Sequence, residues 1–122
     1  MNRENYTDKI TYSIDPDGCE DADDAFSIYY DSNNRLYLAI HIADPTEEIN
    51  INSPLWRDIV DRVITRYPSN NKPIHLMPKV IVDKSSLMEN KYGNEKNAIT
   101  VLTEINVHTY EPCGNIKLLF TF

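Results

Sequence analysis

Two β-prone runs, Ala25 to Tyr30 and Arg35 to Ala43, are separated by the four residues Asp31-Ser32-Asn33-Asn34. Asn and Asp tolerate the left-handed backbone that tight hairpin turns demand. This stretch therefore predicts an antiparallel hairpin, and the rest of the chain must be arranged around it. Its second run, Arg-Leu-Tyr-Leu-Ala-Ile-His-Ile-Ala, is almost continuously apolar and predicts a well-buried strand.

The remaining pattern is consistent with a sheet of more than two strands. Ala98 to His108 and Ile116 to Phe122 read as strands joined by a turn at Glu111-Pro112-Cys113-Gly114. Ile10 to Ile14 is also β-prone and runs into the turn signal Asp15-Pro16-Asp17-Gly18. One clear helix is predicted. Ser53 suits an N-cap and Pro54 the first turn. Leu55, Ile59, Val63 and Ile64 then recur at helical spacing, and Tyr67 extends that face until Pro68 ends it. Residues 68–84 hold three prolines and little periodicity, so a loop is expected there. The expected class is α+β, mainly antiparallel, with residues 1–9 loose and residues 10–122 forming the body of the domain.

Charge divides the chain unevenly. Residues 1–56 carry three basic and twelve acidic side chains, whereas residues 57–84 carry six basic and three acidic. An acidic block is thus followed by a basic one, within a net charge of -7. That net charge argues against strong RNA capture by this chain alone, because phosphate binding relies on many Lys and Arg contacts. No apolar run approaches the roughly 20 residues that span a bilayer, and Met1 to Asn5 lacks the apolar core of a secretory signal. A cytoplasmic protein is expected, with Cys19 and Cys113 as reduced thiols and Asn5-Tyr6-Thr7 unglycosylated.

The acidic block is densest from Asp15 to Asp24, where six carboxylates (Asp15, Asp17, Glu20, Asp21, Asp23, Asp24) fall in ten residues. Such groups repel one another unless exposed, protonated or bound to a cation. Asp15 ends one β-prone run and Asp23-Asp24 precedes another, so several carboxylates are expected at one end of adjacent elements. Hard oxygen ligands of this kind suit Mg²⁺ or Mn²⁺. A calcium hand is excluded by spacing, since it needs glycine sixth and glutamate twelfth, and neither register supplies them. A solvated acidic loop is the alternative that composition leaves open.

Ile14-Asp15-Pro16 followed by Asp21-Ala22-Asp23-Asp24-Ala25 resembles the signature of the ribonuclease II / ribonuclease R (RNB) family, in which four aspartates follow the pattern D-x5-D-x-D-D. The resemblance continues in order through His41-Ile42-Ala43-Asp44-Pro45-Thr46, Leu76-Met77-Pro78, Ser86-Leu87 and Lys96-Asn97-Ala98-Ile99-Thr100-Val101. It implies the N-terminal part of an RNB catalytic domain and a metal-dependent 3′→5′ exoribonuclease that releases nucleoside 5′-monophosphates from single-stranded RNA. It also implies that Asp15, Asp21, Asp23 and Asp24 hold the metal, with Asp23 and Asp24 central to cleavage and Tyr67 stacking on a base. Simple helix packing is the alternative for Tyr67. His41 is expected to be scaffold, and His75 and His108 to play no part. Arg57, Arg62, Arg66, Lys72, Lys79 and Lys84 are expected to be mostly solvated surface, with Arg62 and Arg66 sharing a helix face. The family's downstream arginine and RNA-clamping aromatics have no counterpart before Phe122. The expectation is therefore either a fragment, a reduced protein completed by a second chain, or a non-catalytic relative that binds RNA or protein.

Overall fold

The computed structural model describes residues 2–69, 72 and 76–122. Four strands form one antiparallel sheet in the order β1 (Asp24–Tyr30), β2 (Leu36–Ala43), β3 (Ala98–Ile105) and β4 (Pro112–Thr121). Two helices, α1 (Pro54–Arg62) and α2 (Lys79–Ser85), and a short 3₁₀ turn at Thr46–Glu48 lie in the connection from β2 to β3. The class is the expected α+β, with α2 as a second, shorter helix in a stretch expected to be loop. His75 lies outside the described residues.

The hairpin forms as its turn chemistry requires. Asp31 Oδ1 accepts from the N–H groups of Asn33 and Arg35, both at 2.9 Å, and Asn34 takes a φ of 59°. The strand faces differ from expectation. Ala25, Ser27, Ala39, His41, Ala98, Thr100 and Thr121 are the buried set, whereas Ile40 and Ile42 are 42% and 46% exposed. Small and hydroxyl-bearing residues fill the inner face because their groups bond to one another across the strands. Thr11 Oγ1 meets Ser27 Oγ at 2.9 Å, and Ser27 meets His41 Nε2 at 2.9 Å. His41 Nδ1 meets Thr100 Oγ1 at 2.7 Å, and Thr100 meets Thr121 Oγ1 at 2.7 Å. Among the described residues no buried side-chain nitrogen or oxygen lacks a partner, so this polar row carries no desolvation debt.

Several boundaries are corrected. The strand expected at Ile10 to Ile14 reduces to one bridge, Tyr12 with Phe26, made by two 2.8 Å bonds. Helix α1 starts as expected, with Ser53 Oγ accepting from Trp56 N, but ends at Arg62 rather than running to Tyr67. Val63-Ile64-Thr65 is a β-branched run that loses side-chain freedom in a helix, and Val63 leaves it with a φ of 68°. Arg66 therefore does not share a helix face with Arg62. The turn between β3 and β4 spans Asn106 to Tyr110 instead of Glu111 to Gly114. Asn106 Oδ1 accepts from the N–H groups of His108 and Thr109, and Tyr110 takes a φ of 58°. Pro112 is tolerated because it opens an edge strand.

Residues 3–6, expected to be loose, are tied to the sheet. Glu4 N donates to Phe120 O at 2.8 Å, Phe122 N to Glu4 O at 3.1 Å, and Tyr6 N to Phe122 O at 2.8 Å. Arg3 reaches the Asp44 carboxylate and the carbonyls of Ala98 and Thr121. Buried charge needs such partners, and they supply the ordering that composition did not reveal.

Candidate active site

The acidic segment lies where β1 begins, at the same end of the sheet as Ala43, Ala98 and Thr121. A turn at Pro16 to Cys19 feeds it, closed by Cys19 N donating to Pro16 O at 3.1 Å, with Gly18 at a φ of 78°. Ala22, between two aspartates, is buried and bonded through both of its peptide groups. Its N–H donates to Ser86 Oγ at 3.0 Å, and its carbonyl accepts from Leu87 N at 2.9 Å. One residue on, the Asp23 carbonyl accepts from Ala43 N at 2.8 Å. The backbone carrying the carboxylates is therefore fixed by β2 on one side and by the end of α2 on the other.

Asp21 and Asp23, together with Cys19 and Glu20, line a cleft of about 450 Å³. Ala22, between the two aspartates, is buried. The same cleft is lined by Thr65, Tyr67, Leu76, Met77, Ile42, Val82 and Ser86. Leu76 N donates to Thr65 Oγ1 at 3.1 Å, which brings the Leu-Met pair beside the residues that follow α1. Tyr67 is 78% exposed, so it does not pack into a helix interface.

Asp24 and Asp15 stand outside this lining. Asp24 pairs with Ile42, itself a wall of the cleft, and Asp15 lies beyond the Gly18 turn. Among the described residues, no three His, Cys, Asp or Glu side chains are grouped closely enough to hold one ion. The four aspartates thus do not form one closed ligand shell. The donor set still suits Mg²⁺, which is commonly held by one or two carboxylates plus water and substrate phosphate. Of the four aspartates, Asp21 and Asp23 line the cleft.

The local field is negative. Lys79 donates to Asp83 at 3.0 Å and lies 3.9 Å from Glu20. Its pKa is raised, first by the Asp83 hydrogen bond and further by the charges of Asp83, Asp21 and Glu20. Lys84 pairs with Glu48 at 3.3 Å, so two members of the basic block are engaged by carboxylates. His41 sits on the inner sheet face, where burial pushes its pKa down. His108 is in the β3–β4 turn, at the far end of the sheet from Asp23. Cys19 and Cys113 are both free thiols.

The RNB domain model matches residues 3–112. The chain belongs to the RNB domain family. It is 31% identical over 106 residues to Ribonuclease R 2 of Lactococcus lactis, covering 87% of this chain and 16% of that protein. It is 34% identical over 80 residues to the exosome complex exonuclease dis3 of Schizosaccharomyces pombe, covering 66% of this chain and 8% of dis3. The chain thus spans less than a fifth of the length of these curated relatives. Among solved structures, the fold is similar to Mycoplasma genitalium RNase R in complex with ribose-methylated single-stranded RNA. That match has a TM-score of 0.80 at 18% identity and covers 98% of this chain and 18% of that one. It is equally similar to yeast Ssd1, a pseudonuclease, with a TM-score of 0.81 at 22% identity, covering 98% and 14%. The RNB fold is therefore common to nucleases and to a protein without that activity.

Two residues that sequence reasoning left without a role emerge in the structure. Ser86 was noticed only as half of a Ser-Leu pair, and its bond to Ala22 spans 64 residues. Arg3 lay in the stretch expected to be loose, although a lone arginine among polar residues offers little signal of burial.

Proposed function

We propose that this chain carries the cleavage site of a metal-dependent 3′→5′ exoribonuclease acting on single-stranded RNA in the cytoplasm. The observation that carries the reading is the cleft that Asp21 and Asp23 line together with the exposed Tyr67, within a chain of the RNB family. Asp21 and Asp23 would hold Mg²⁺, or Mn²⁺ in its place, with Asp15 and Asp24 contributing to the same acidic set. A bound divalent ion supplies an activated water and neutralises phosphate charge.

The chain's own residues do the rest. Tyr67 offers an unobstructed ring for the base near the 3′ end, and base–aromatic stacking is worth about 1–3 kcal/mol while ignoring sequence. Leu76, Met77 and Ile42 make the apolar walls that limit water around the phosphate. Water attacks the last internucleotide phosphorus, the bond to the preceding 3′ oxygen breaks, and a nucleoside 5′-monophosphate leaves. The lengths of the relatives favour an RNA channel completed by segments outside these residues, or by a second chain.

The second reading is a relative that binds RNA or protein without cutting, and the likeness to a pseudonuclease gives it substance. Retention of all four aspartates favours the enzyme, because four close carboxylates are costly to keep without a cation. The test is incubation with 3′-labelled single-stranded RNA and Mg²⁺, alongside Asp23→Asn. Labelled mononucleotide from the wild type alone supports the enzyme. RNA binding with no release in either protein supports the binding relative.

A further inference from the structure

We propose that Ser86 is a positioning residue for the cleft carboxylates of Asp21 and Asp23, acting through the peptide of Ala22. The inference rests on the metal-dependent reading of the cleft and extends it to a residue that makes no claim on the ion itself.

Ser86 is 2% exposed and follows directly after α2, whose last turn it closes by donating its N–H to Val82 O at 2.8 Å. Its hydroxyl oxygen accepts from Ala22 N at 3.0 Å and from Met88 N at 3.3 Å. Leu87 N completes the grip on the Ala22 carbonyl. Ala22 is the residue between Asp21 and Asp23, so rotation of either of its peptide planes would swing one carboxylate out of the cleft. A side-chain acceptor is needed at this point because Ala22 precedes the first residue of β1. Ser86 also lines the cleft, beside the carboxylates that it would orient.

The geometry also explains why a helix of seven residues lacking a side-chain N-cap bond stands at this place. Helix α2 delivers Ser86 and Leu87 to the acidic peptide. Partners that orient metal-binding groups without touching the metal typically change affinity by about 10–100-fold when removed.

The experiment is a Mn²⁺ titration of wild type, Ser86→Ala and Ser86→Thr, with amide exchange and carboxyl-carbon shifts of Asp21 and Asp23 recorded without metal. Ser86→Ala is expected to weaken Mn²⁺ by about tenfold or more, to speed exchange at Ala22, and to leave the Ala39 and Thr100 amides protected. Ser86→Thr keeps the hydroxyl and is expected to recover most of the affinity. Should Ser86→Ala lose the sheet amides as well, Ser86→Cys replaces it, because the thiol keeps the volume with a weaker acceptor. Equal Mn²⁺ affinity in wild type and Ser86→Ala overturns the proposal. If the wild type binds no Mn²⁺, the metal reading of the cleft fails, and the carboxyl shifts decide. Movement at Asp21 and Asp23 in Ser86→Ala supports positioning, and superimposable shifts overturn it.

Discussion

Arg3 donates to the Asp44 carboxylate at 2.7 Å across 41 residues of sequence, with the two side chains only 6% and 0% exposed. The same guanidinium reaches Glu47 and the carbonyls of Ala98 and Thr121, so one side chain ties β2, β3, β4 and the 3₁₀ turn together. Removing one member of a buried pair leaves the other charge without its partner, at a cost of about 3–5 kcal/mol. Arg3→Ala is therefore expected to lower unfolding free energy by about that amount. Urea denaturation followed by tryptophan fluorescence measures it, and an unchanged midpoint would show that the pair is not a fastener.

Asp44 also sets an acid limit. Burial raises its pKa, but hydrogen bonds from Thr46 and Arg3, with the Arg3 charge, outweigh burial and hold it below the usual range. With a depressed folded pKa, the unfolded chain binds the proton more readily. The contribution is complete above the ordinary carboxylate pKa of about 3.9 and is lost as pH falls through the folded value. The stability curve of Asp44→Asn should lack this acid-side slope and be lower at neutral pH.

His41 acts in a separate window. Burial lowers its pKa, so the folded protein keeps a neutral ring where the unfolded chain would be protonated. Stability is then full above about pH 6.5 and declines as pH falls below it. His41→Gln should flatten the curve between that point and the range in which Asp44 titrates. Overlapping curves for the two proteins between pH 5 and pH 7, ~2 units that span the ordinary histidine pKa, would contradict the assignment.

Tyr67 separates binding from stability. Because its ring is exposed, Tyr67→Ala should leave the melting temperature unchanged. Loss of one stacked base is worth about 1–3 kcal/mol, so single-stranded RNA affinity should fall between roughly fivefold and 150-fold. Tyr67→Phe should behave like the wild type, since stacking needs the ring and not the hydroxyl. Fluorescence anisotropy with a labelled oligonucleotide reads this, and equal affinity for all three proteins would return Tyr67 to a passive surface role.

Val63 offers a test of backbone strain. A β-branched residue at a φ of 68° is disfavoured, and its side chain is 71% exposed, so little packing is lost with it. Glycine adopts this conformation freely. Val63→Gly should raise stability by about 1 kcal/mol, the strain relieved less the added chain entropy. Calorimetry should find a higher melting temperature, and a lower one would mean that Val63 contributes contacts outweighing its strain.

These features were unequally legible in the sequence. The hairpin from Asp24 to Ala43 was readable because strand pattern and turn chemistry agree, and the Asp31 side chain bonds as an Asp in a turn should. The choice of sheet face was not. Hydrophobicity places the isoleucines of β2 inward, whereas the hydroxyl row from Thr11 to Thr121 fills the inner face by cross-strand bonding. Helix α2 was hidden because it is short, opens on Pro78 without a side-chain cap, and is held by distant contacts at Ser86 and Leu87. At the site, spacing singled out four aspartates as candidates, but not that Asp21 and Asp23 line a cleft with Tyr67 and Ser86. That lining depends on contacts far apart in sequence, such as the bond from Ala22 to Ser86, which no count of acidic residues reveals.

The bonds from Glu4 and Tyr6 to Phe120 and Phe122 have an effect at the rim of the sheet. An edge strand presents unpaired amides and carbonyls that recruit strands from other molecules. Residues 4–6 occupy the last stretch of that rim on β4, while the Tyr12 bridge obstructs β1 near its start. Residues 4–12 thus cover both edges of the sheet at the end that carries the acidic segment. Loss of those contacts would bare the backbone of Phe26, Phe120 and Phe122 to strands of other molecules.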